Sequence, residues 1–315
     1  MQCAYTIFIA LVKHTARWGL LLVLLLSHSA RLAQATSATS DETAPLDYSQ
    51  SKGRLHGTAG ATQLEGSAGG GLVPWAVIAA YGSAEQVGAS AFYSRVGMPD
   101  FELSSAGFAL GLYNRLELSY AQQRFNLGSL ADALALPDRV IRQDIFAVKL
   151  RLLGDLIYTD MPQISLGLQH KKNRDFLVPG VAGALDDEGT DIYLAFSKLW
   201  LAGFMHRNLL VDFNLRSTQA NQLGLVGFSG DKNTQREWLA EGSLAVLLNR
   251  YIAVGMEYRQ KPDNLSFASE DDWYDLFVAW FPTKSVSLVA AYAQLGSIAG
   301  YDAQNAWYLS LQGSF

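Results

Sequence analysis

Charged and polar side chains occupy every second position of several short apolar segments in this sequence. The set that we expect on one strand face comprises Lys149, Arg151, Asp212, Asn214, Arg216, Glu257 and Arg259. Alternate residues of a strand point to the same side of a sheet, so these groups would share one surface. Rings of charge around a water-filled pore set its ion preference, and a mixture of both signs predicts a weak preference.

The same charges have a second interpretation, in which they do not line an open path. A wider inward set, which comprises five basic and six acidic side chains, adds Glu117, Lys171, Asp191, Glu241 and Asp275. Opposite charges on neighbouring strands can pair across the interior and fill it. The sequence leaves an open pore and a filled lumen as equal alternatives.

An enzyme that modifies lipid would need a base and a nucleophile on the surface that faces the membrane. His170 follows Leu166 and Leu168 in the lipid-facing register and could serve as that base. The sequence contains no GxSxG motif, and no outward-facing serine is an obvious partner for His170. We therefore predict that the protein is not an enzyme, and we expect no cofactor and no metal.

Two acidic clusters, residues 186–188 and 270–272, lie at the ends of long predicted loops. Carboxylate oxygens suit Ca²⁺ or Mg²⁺, and divalent cations bridge the lipopolysaccharide of an outer leaflet. Neither cluster has the spacing of an EF-hand, so solvated loop surface is the favoured interpretation.

The elements that would position these groups are strands, and the clearest of them ends the chain. Its apolar face consists of Trp307, Leu309, Leu311, Gly313 and Phe315, which alternate with a second face up to the final residue. Period-two alternation is typical of a strand, and a closed barrel in an outer membrane needs its last strand to pair with its first. Strands of this class end on an aromatic residue that the outer-membrane assembly machinery recognises. We therefore predict that the machinery binds the C-terminal strand through Phe315.

The predicted strands number about fourteen, from residues 53–64 to residues 304–315. Their connections alternate between long and tight, which is typical of a barrel with longer extracellular loops and short periplasmic turns. The glycine-rich N-terminal quarter is the least regular part, and twelve strands remain if one hairpin there folds inside the lumen. We predict an all-β fold with a single closed antiparallel transmembrane barrel, because a soluble β-sandwich does not explain the loop lengths.

The N-terminus is typical of an exported protein. Lys13 and Arg17 precede an apolar run that is too short to cross a bilayer as a helix, and small residues at Ala35 suit cleavage. We predict a signal peptide (1–35), a flexible periplasmic leader (36–52) and an outer-membrane barrel (53–315). Cleavage would remove Cys3, the only cysteine, and would leave a net charge of about −8, which argues against nucleic acid as a partner.

Four segments carry a family resemblance, namely residues 69–78, 142–152, 220–231 and 257–275. They resemble a proteobacterial family that is catalogued as domain of unknown function 3034. The resemblance extends over nearly all of the predicted mature chain and is most specific in residues 257–275. It implies a barrel of the outer-membrane type and supplies no catalytic residues.

We expect a protein of the outer membrane that passively conducts small solutes with a weak ion preference. Two alternatives stay open: a barrel plugged by its glycine-rich N-terminal segment that transports hydrophobic compounds, and a closed structural barrel without transport. The expected surroundings are outer-membrane lipid and lipopolysaccharide. Porin-like barrels often form trimers, but no feature of the sequence decides whether this chain forms a homo-oligomer.

Overall fold

The structure, a computed structural model, describes residues 54–136 and 138–315. The predicted signal peptide (1–35) and leader (36–52) therefore lie outside the described residues. Two short strands come first, β1 (Ala61–Thr62) and β2 (Ala68–Gly69). The long strands are β3 (Val87–Gly97), β4 (Glu102–Leu112), β5 (Leu116–Asn126), β6 (Val140–Leu153), β7 (Gln163–Asn173), β8 (Glu188–Phe204), β9 (Arg207–Thr218), β10 (Glu237–Leu247), β11 (Ile252–Arg259), β12 (Trp273–Thr283), β13 (Val286–Gln294) and β14 (Asn305–Ser314).

The twelve long strands form one closed barrel in which each strand pairs with its neighbours in the sequence. All pairs are antiparallel, and β14 closes the barrel against β3 with Trp307 opposite Gly97 and Ser314 opposite Ser90. The backbone of Phe315 continues this pairing, since it exchanges hydrogen bonds of 2.8 and 3.0 Å with the backbone of Ala89. The predicted closed antiparallel barrel is confirmed, with the smaller of the two strand numbers.

The strand faces alternate as the sequence predicts, with apolar side chains outside and polar or small ones inside. On β14, Trp307 is 67% exposed, whereas its neighbour Tyr308 is 2% exposed. A wall of exposed leucine, valine and aromatic side chains is stable only against lipid, and a closed barrel leaves no unpaired strand edge in the bilayer. The chain is therefore an outer-membrane β-barrel, as predicted.

The connections differ at the two ends of the barrel. One end carries tight turns such as residues 113–115, where Tyr113 and Asn114 both have positive φ values (55° and 49°), the geometry of a type I′ hairpin. The other end carries longer loops, which contain α1 (Gly128–Ala133), α2 (Leu177–Val181) and a 3₁₀ turn (Asn221–Gly224). By the barrel rule the tight turns are periplasmic and the long loops extracellular. Within the described part of the chain, no helix is long and apolar enough to span a membrane.

The structure of the N-terminal segment differs from the prediction in one respect. Residues 53–64 were expected to form the first wall strand, but the wall begins at Val87, and residues 54–81 lie inside the lumen. Residues 58–80 are buried on every side, whereas a wall strand exposes alternate residues. We call residues 54–81 the plug. Many of its residues are glycine or alanine, which leaves room for the backbone inside a barrel of twelve strands.

Candidate functional site

The two ends of the plug meet at the periplasmic end of the barrel. The Arg54 N–H donates to Tyr81 O over 3.0 Å, and the Arg54 guanidinium donates to Ile78 O over 2.5 Å. His56 Nε2 lies 2.6 Å from Phe281 O, close to the end of β12. Between these ends the chain runs into the lumen and returns through the β1–β2 hairpin, in which Ala61 pairs with Gly69. Both ends of the plug are thus fastened on the periplasmic side.

The tip of the hairpin contacts the wall strands directly. Leu64 O accepts hydrogen bonds from Ser105 Oγ (2.7 Å) and Gln123 Nε2 (2.9 Å). Gly66 has a φ of +93°, and a Cβ there would lie 3.0 Å from the Cβ of Ala121. The turn therefore needs glycine both for its backbone angle and for its distance from β5.

An ion pair on neighbouring wall strands binds the plug backbone. Lys149 Nζ lies 3.1 Å from Glu117 Oε2 and donates to Ala68 O (3.0 Å) and Val77 O (2.8 Å). Glu117 accepts hydrogen bonds from the N–H groups of Ala68 (3.1 Å) and Ala79 (2.8 Å). These two side chains satisfy backbone groups on both passes of the plug, which regular secondary structure would otherwise have to satisfy.

Glu257 on β11 binds the plug in a similar way. Its Oε2 accepts the N–H groups of Gly71 and Leu72, each over 2.6 Å, and its Oε1 accepts the Ser243 hydroxyl over 2.6 Å. A Cβ at Gly70 would lie 2.0 Å from Glu257 Oε1. Only glycine at this position allows the carboxylate to approach the plug backbone so closely.

The peptide groups around Ala76 are bound by uncharged side chains of the wall. The Ala76 N–H donates to Ser197 Oγ over 2.7 Å, and Ala76 O accepts from both Gln163 and Ser165 over 2.6 Å. Asn214 Nδ2 donates to Pro74 O over 2.6 Å. The plug is therefore held along its whole length by side chains that point inward from the strands.

A group of six buried ionisable side chains surrounds the plug tip. The central charge cluster consists of Glu65, Lys171, Asp191, Arg216, Glu241 and Arg259. Glu65 belongs to the plug, and the other five belong to the wall. Glu65 pairs with Lys171 and with Arg259, the latter over 2.6 Å. All six side chains are at most 5% exposed. The charged groups therefore interact with one another instead of with water.

Two apolar cavities flank the plug within the described part of the barrel. The periplasmic one, ≈20 Å³ in volume, is lined by residues that include Trp75, Leu247 and Phe281. The extracellular one, ≈30 Å³ in volume, is lined by residues that include Leu64 and Trp273. Volumes of this size hold one or two water molecules. The inward-facing side chains around the plug are buried, so the plug fills the lumen between these two cavities.

The extracellular loops fold over the mouth of the barrel. Gln143 Nε2 donates to Leu223 O (3.1 Å) and Asn173 Nδ2 donates to Leu225 O (2.7 Å), so wall side chains hold the loop after β9 inward. Gln222 and Leu223 both have positive φ values of 46° and 65°, which gives this loop its sharp turn. The loop thus covers the extracellular cavity.

The acidic loop clusters bind side chains of the protein itself, and in the first cluster Glu188 pairs with Lys172 over 3.0 Å. Glu270 pairs with Lys261 and accepts from Gln222 Nε2 over 2.6 Å, while Asp272 accepts the Tyr258 hydroxyl over 2.5 Å. Burial lowers the pKa of Lys261, an effect that the charge of Glu270 opposes. The described residues contain no group of three or more ligand side chains that could hold a metal ion.

The sequence-predicted site residues all lie on the lumen side. Six of them contact the plug, namely Lys149, Asp212, Asn214, Arg216, Glu257 and Arg259. Asp212 interacts with the backbone N–H of Ala76 and also accepts from the Ser197 hydroxyl and from Asn214 Nδ2. Arg151 instead binds Gly154 O and Asp155 near a periplasmic turn. Their role in conduction stays a prediction.

Sequence reasoning missed Glu65, the residue on which three wall cations converge. The available signal was its isolation, because Glu65 is the only acidic residue in the stretch from Arg54 to Ala84. His170, considered as a catalytic base, has its Nδ1 3.1 Å from Thr190 Oγ1 on the exposed outer face. That contact assigns no chemistry to His170.

Residues 58–312 match the family model described as "Protein of unknown function (DUF3034)", so the chain belongs to this family. Among solved structures, the KdgM porin is similar at 10% identity and a TM-score of 0.46, over 72% of this chain and 99% of that one. A COG4313 outer membrane channel from Pseudomonas putida F1 gives 13% identity and 0.41, over 87% of this chain and 100% of that one. Omp33 from Acinetobacter baumannii gives 8% identity and 0.41, over 73% and 98%. No curated protein matches the chain.

Proposed function

We propose that this member of the DUF3034 family is an outer-membrane channel for small solutes that its own plug closes. The observation that supports this most directly is the way in which the plug is held. Its backbone is bound by inward-pointing polar side chains such as Lys149, Asn214 and Glu257. Because these wall side chains are polar, water can replace the plug as their partner. The plug can then leave the lumen as one piece.

A purely structural barrel would not need this interior. Replacing buried ion pairs by well-packed apolar side chains is often neutral or stabilising, so buried charge has to be explained by something other than stability. Here the wall alone places five ionisable side chains in the central charge cluster. Such groups are inexpensive to keep in a lumen that fills with water, which is the condition of an open channel.

The same charges support a weak ion preference in the open state. On four successive strands, basic Lys149 and Lys171 lie between acidic Glu117 and Asp191, so these charges form no ring of one sign. Selectivity in channels follows the sign of the charges that line the narrow part. A mixed lining passes small cations and anions with similar ease.

The test is a reversible disulfide between the plug tip and the wall. A Cβ at Gly66 would lie 3.0 Å from the Cβ of Ala121, slightly closer than the roughly 3.5–4.5 Å of a disulfide. The mature chain has no cysteine of its own if it is cleaved as predicted, so Gly66→Cys with Ala121→Cys forms one defined bond. Single-channel conductance is recorded in planar bilayers for the oxidised and the reduced protein.

We expect the oxidised form to be silent and the reduced form to show discrete steps with nearly equal permeability to K⁺ and Cl⁻. The Gly66→Cys single variant controls for the strain that a side chain places on this turn, and the Ala121→Cys single variant controls for effects of the oxidant. Folding is checked by the shifted mobility of the unheated barrel in SDS gels. Equal conductance before and after reduction would reject the plug as the gate, and silence of both folded forms would reject conduction.

A second candidate function is passage of hydrophobic compounds, which the apolar lining of both cavities favours. Trp75 and Phe281 line one cavity and Leu64 and Trp273 line the other. In cells that carry the same cysteine pair, uptake of a fluorescent apolar probe is compared with and without reductant. Uptake that increases on reduction, together with a silent bilayer, would favour this function over ion-permeable conduction.

A further inference from the structure

The wall alone gives the central charge cluster an uncompensated positive charge. Three of its five wall side chains are basic (Lys171, Arg216 and Arg259) and two are acidic (Asp191 and Glu241). The sixth member, Glu65, comes from the plug and makes the cluster neutral. When the plug tip leaves, one positive charge is left without its partner.

Each of the three wall cations also has an acidic partner on the wall. Lys171 Nζ lies 2.6 Å from Asp191, and Glu241 Oε1 lies 2.6 Å from Arg216 Nε and 3.1 Å from Arg259 Nε. The Arg216 guanidinium also lies 5.0 Å from the centre of the Tyr193 ring. Because these contacts fix the three basic groups, the site is pre-organised before any ligand enters.

The shape of the site is that of a carboxylate. Glu65 Oε1 is bound by Lys171, while Glu65 Oε2 lies 2.6 Å from Arg259 Nη1 and 3.8 Å from Arg216 Nη2. Two oxygens in one plane thus meet different cations. Arg259 donates a charge-assisted hydrogen bond to one oxygen, and Arg216 adds a longer ion pair to the same oxygen.

We propose that Lys171, Arg216 and Arg259 form an anion-binding site of the wall, which Glu65 occupies while the plug is in place. Small solutes that carry one carboxylate take its position when the plug tip moves out. A single negative charge restores neutrality, whereas a doubly charged phosphate would exceed it. The passage of such solutes rests on the proposed channel function, but the binding site does not.

The experiment is chemical rescue of the full-length protein in detergent micelles. Glu65→Ala removes the built-in carboxylate and leaves its space. Its unfolding temperature is measured with sodium acetate, with sodium chloride and sodium phosphate at the same ionic strength, and with neutral acetamide. We expect acetate alone to raise the unfolding temperature, by about 2–4 °C, and to leave that of the wild type unchanged.

Two further variants separate a built site from general salt effects. Glu65→Ala combined with Arg259→Met should lose the acetate effect, because one of the cations that bind the ligand is gone. Glu102→Ala, which opens an exposed ion pair with Arg95, should show no acetate effect at all. If Glu65→Ala does not fold alone, the same series is measured as refolding yield.

Equal effects of acetate and chloride, or an acetate effect that survives Arg259→Met, would overturn the proposed site. A larger effect of phosphate than of acetate would overturn the assignment to a single carboxylate. The measurement does not depend on conduction. Rescue by acetate with a silent bilayer would therefore reject the channel and keep the site, and the reverse result would do the opposite.

Discussion

Lys149 on β6 and Glu117 on β5 form a fully buried 3.1 Å ion pair whose two members both bind the plug backbone. Lys149 donates to carbonyl groups, whereas Glu117 accepts N–H groups, so the pair matches both kinds of backbone group. Neither side chain would be buried in this way without the other. The pair therefore belongs to the barrel wall and also holds the plug in the lumen.

Removing both members of this pair should destabilise the protein by less than the sum of the two single removals. Lys149→Met alone leaves Glu117 buried without its counter-charge, as Glu117→Gln alone leaves Lys149, and breaking a buried pair in this way costs about 3–5 kcal/mol. The double variant leaves no unpaired charge, so its loss should be smaller than the sum. Urea or thermal unfolding of the four proteins measures the coupling.

The same variants should also open the proposed channel more often. Each single change removes hydrogen bonds that hold the plug, so we expect longer open times in planar bilayers than for the wild type. Additive stability losses, or unchanged open times in both single variants, would show that the pair does not hold the plug.

Gly70 offers a test in which no charge changes. Gly70→Ala would place a Cβ 2.0 Å from Glu257 Oε1, whose position is fixed by Gly71, Leu72 and Ser243. Such overpacking costs about 1–3 kcal/mol. We expect a lower unfolding temperature and an increased conductance, because the plug must shift to admit the methyl group.

The matched control for this variant is Gly97→Ala, since no atom lies within 4 Å of a Cβ at Gly97. That substitution should change neither property. An equal response of the two alanine variants would show that the effect comes from glycine replacement in general, and a wild-type response of Gly70→Ala would show that the plug does not sit closely on Glu257.

The wall of the barrel could be read from the sequence, and the plug could be offered only as an alternative. In wall strands such as β14, apolar and polar or small side chains alternate because one face contacts lipid and the other faces the lumen. This alternation is visible in the sequence. Residues 58–80 are buried on all sides, so they carry no such contrast. A segment without periodicity gives no signal that separates a weak wall strand from a hairpin inside the lumen.

The candidate site shows the same division. Alternation placed Arg216 and Arg259 on the lumen side, where the structure has them. Their shared partner Glu65 could not be assigned, because contacts between a wall side chain and a plug residue 151 or 194 positions earlier have no local sequence pattern. The contacts of wall side chains with plug carbonyl and N–H groups are equally invisible, since every residue has the same backbone groups.

The loop after β7 should loosen at low pH through Asp175. Its carboxylate accepts from Arg142 Nε and Nη2 over 2.8 Å and from the Arg142 N–H over 2.8 Å. The Arg142 hydrogen bonds lower the pKa of Asp175 below its usual value of 3.8. The stabilisation is thus present at pH values above 3.8 and is lost as the pH falls through 3.8 towards the lower value in the folded protein.

Because Asp175 is partly exposed, we expect a local contribution of only about 0.5–1 kcal/mol. The measurement is the exchange protection of the Arg142 amide, which should fall below pH 4 in the wild type. In Asp175→Asn the protection should be low at neutral pH already and should change little on acidification. A pH-independent protection in the wild type would contradict this assignment.

Substitution of the terminal Phe315 can distinguish assembly of the protein in the cell from closure of the barrel. Its backbone exchanges hydrogen bonds with Ala89, whereas its side chain is 85% exposed and packs little against the wall. Phe315→Ala keeps the backbone pairing, so refolding into detergent should match that of the wild type. If the assembly machinery reads the terminal aromatic ring, the amount of Phe315→Ala protein in the outer membrane should fall several-fold. Deletion of Phe315 also removes the backbone pairing with Ala89, so it should slow refolding as well. If the amount of Phe315→Ala protein in the outer membrane equals that of the wild type, recognition through the aromatic ring is contradicted.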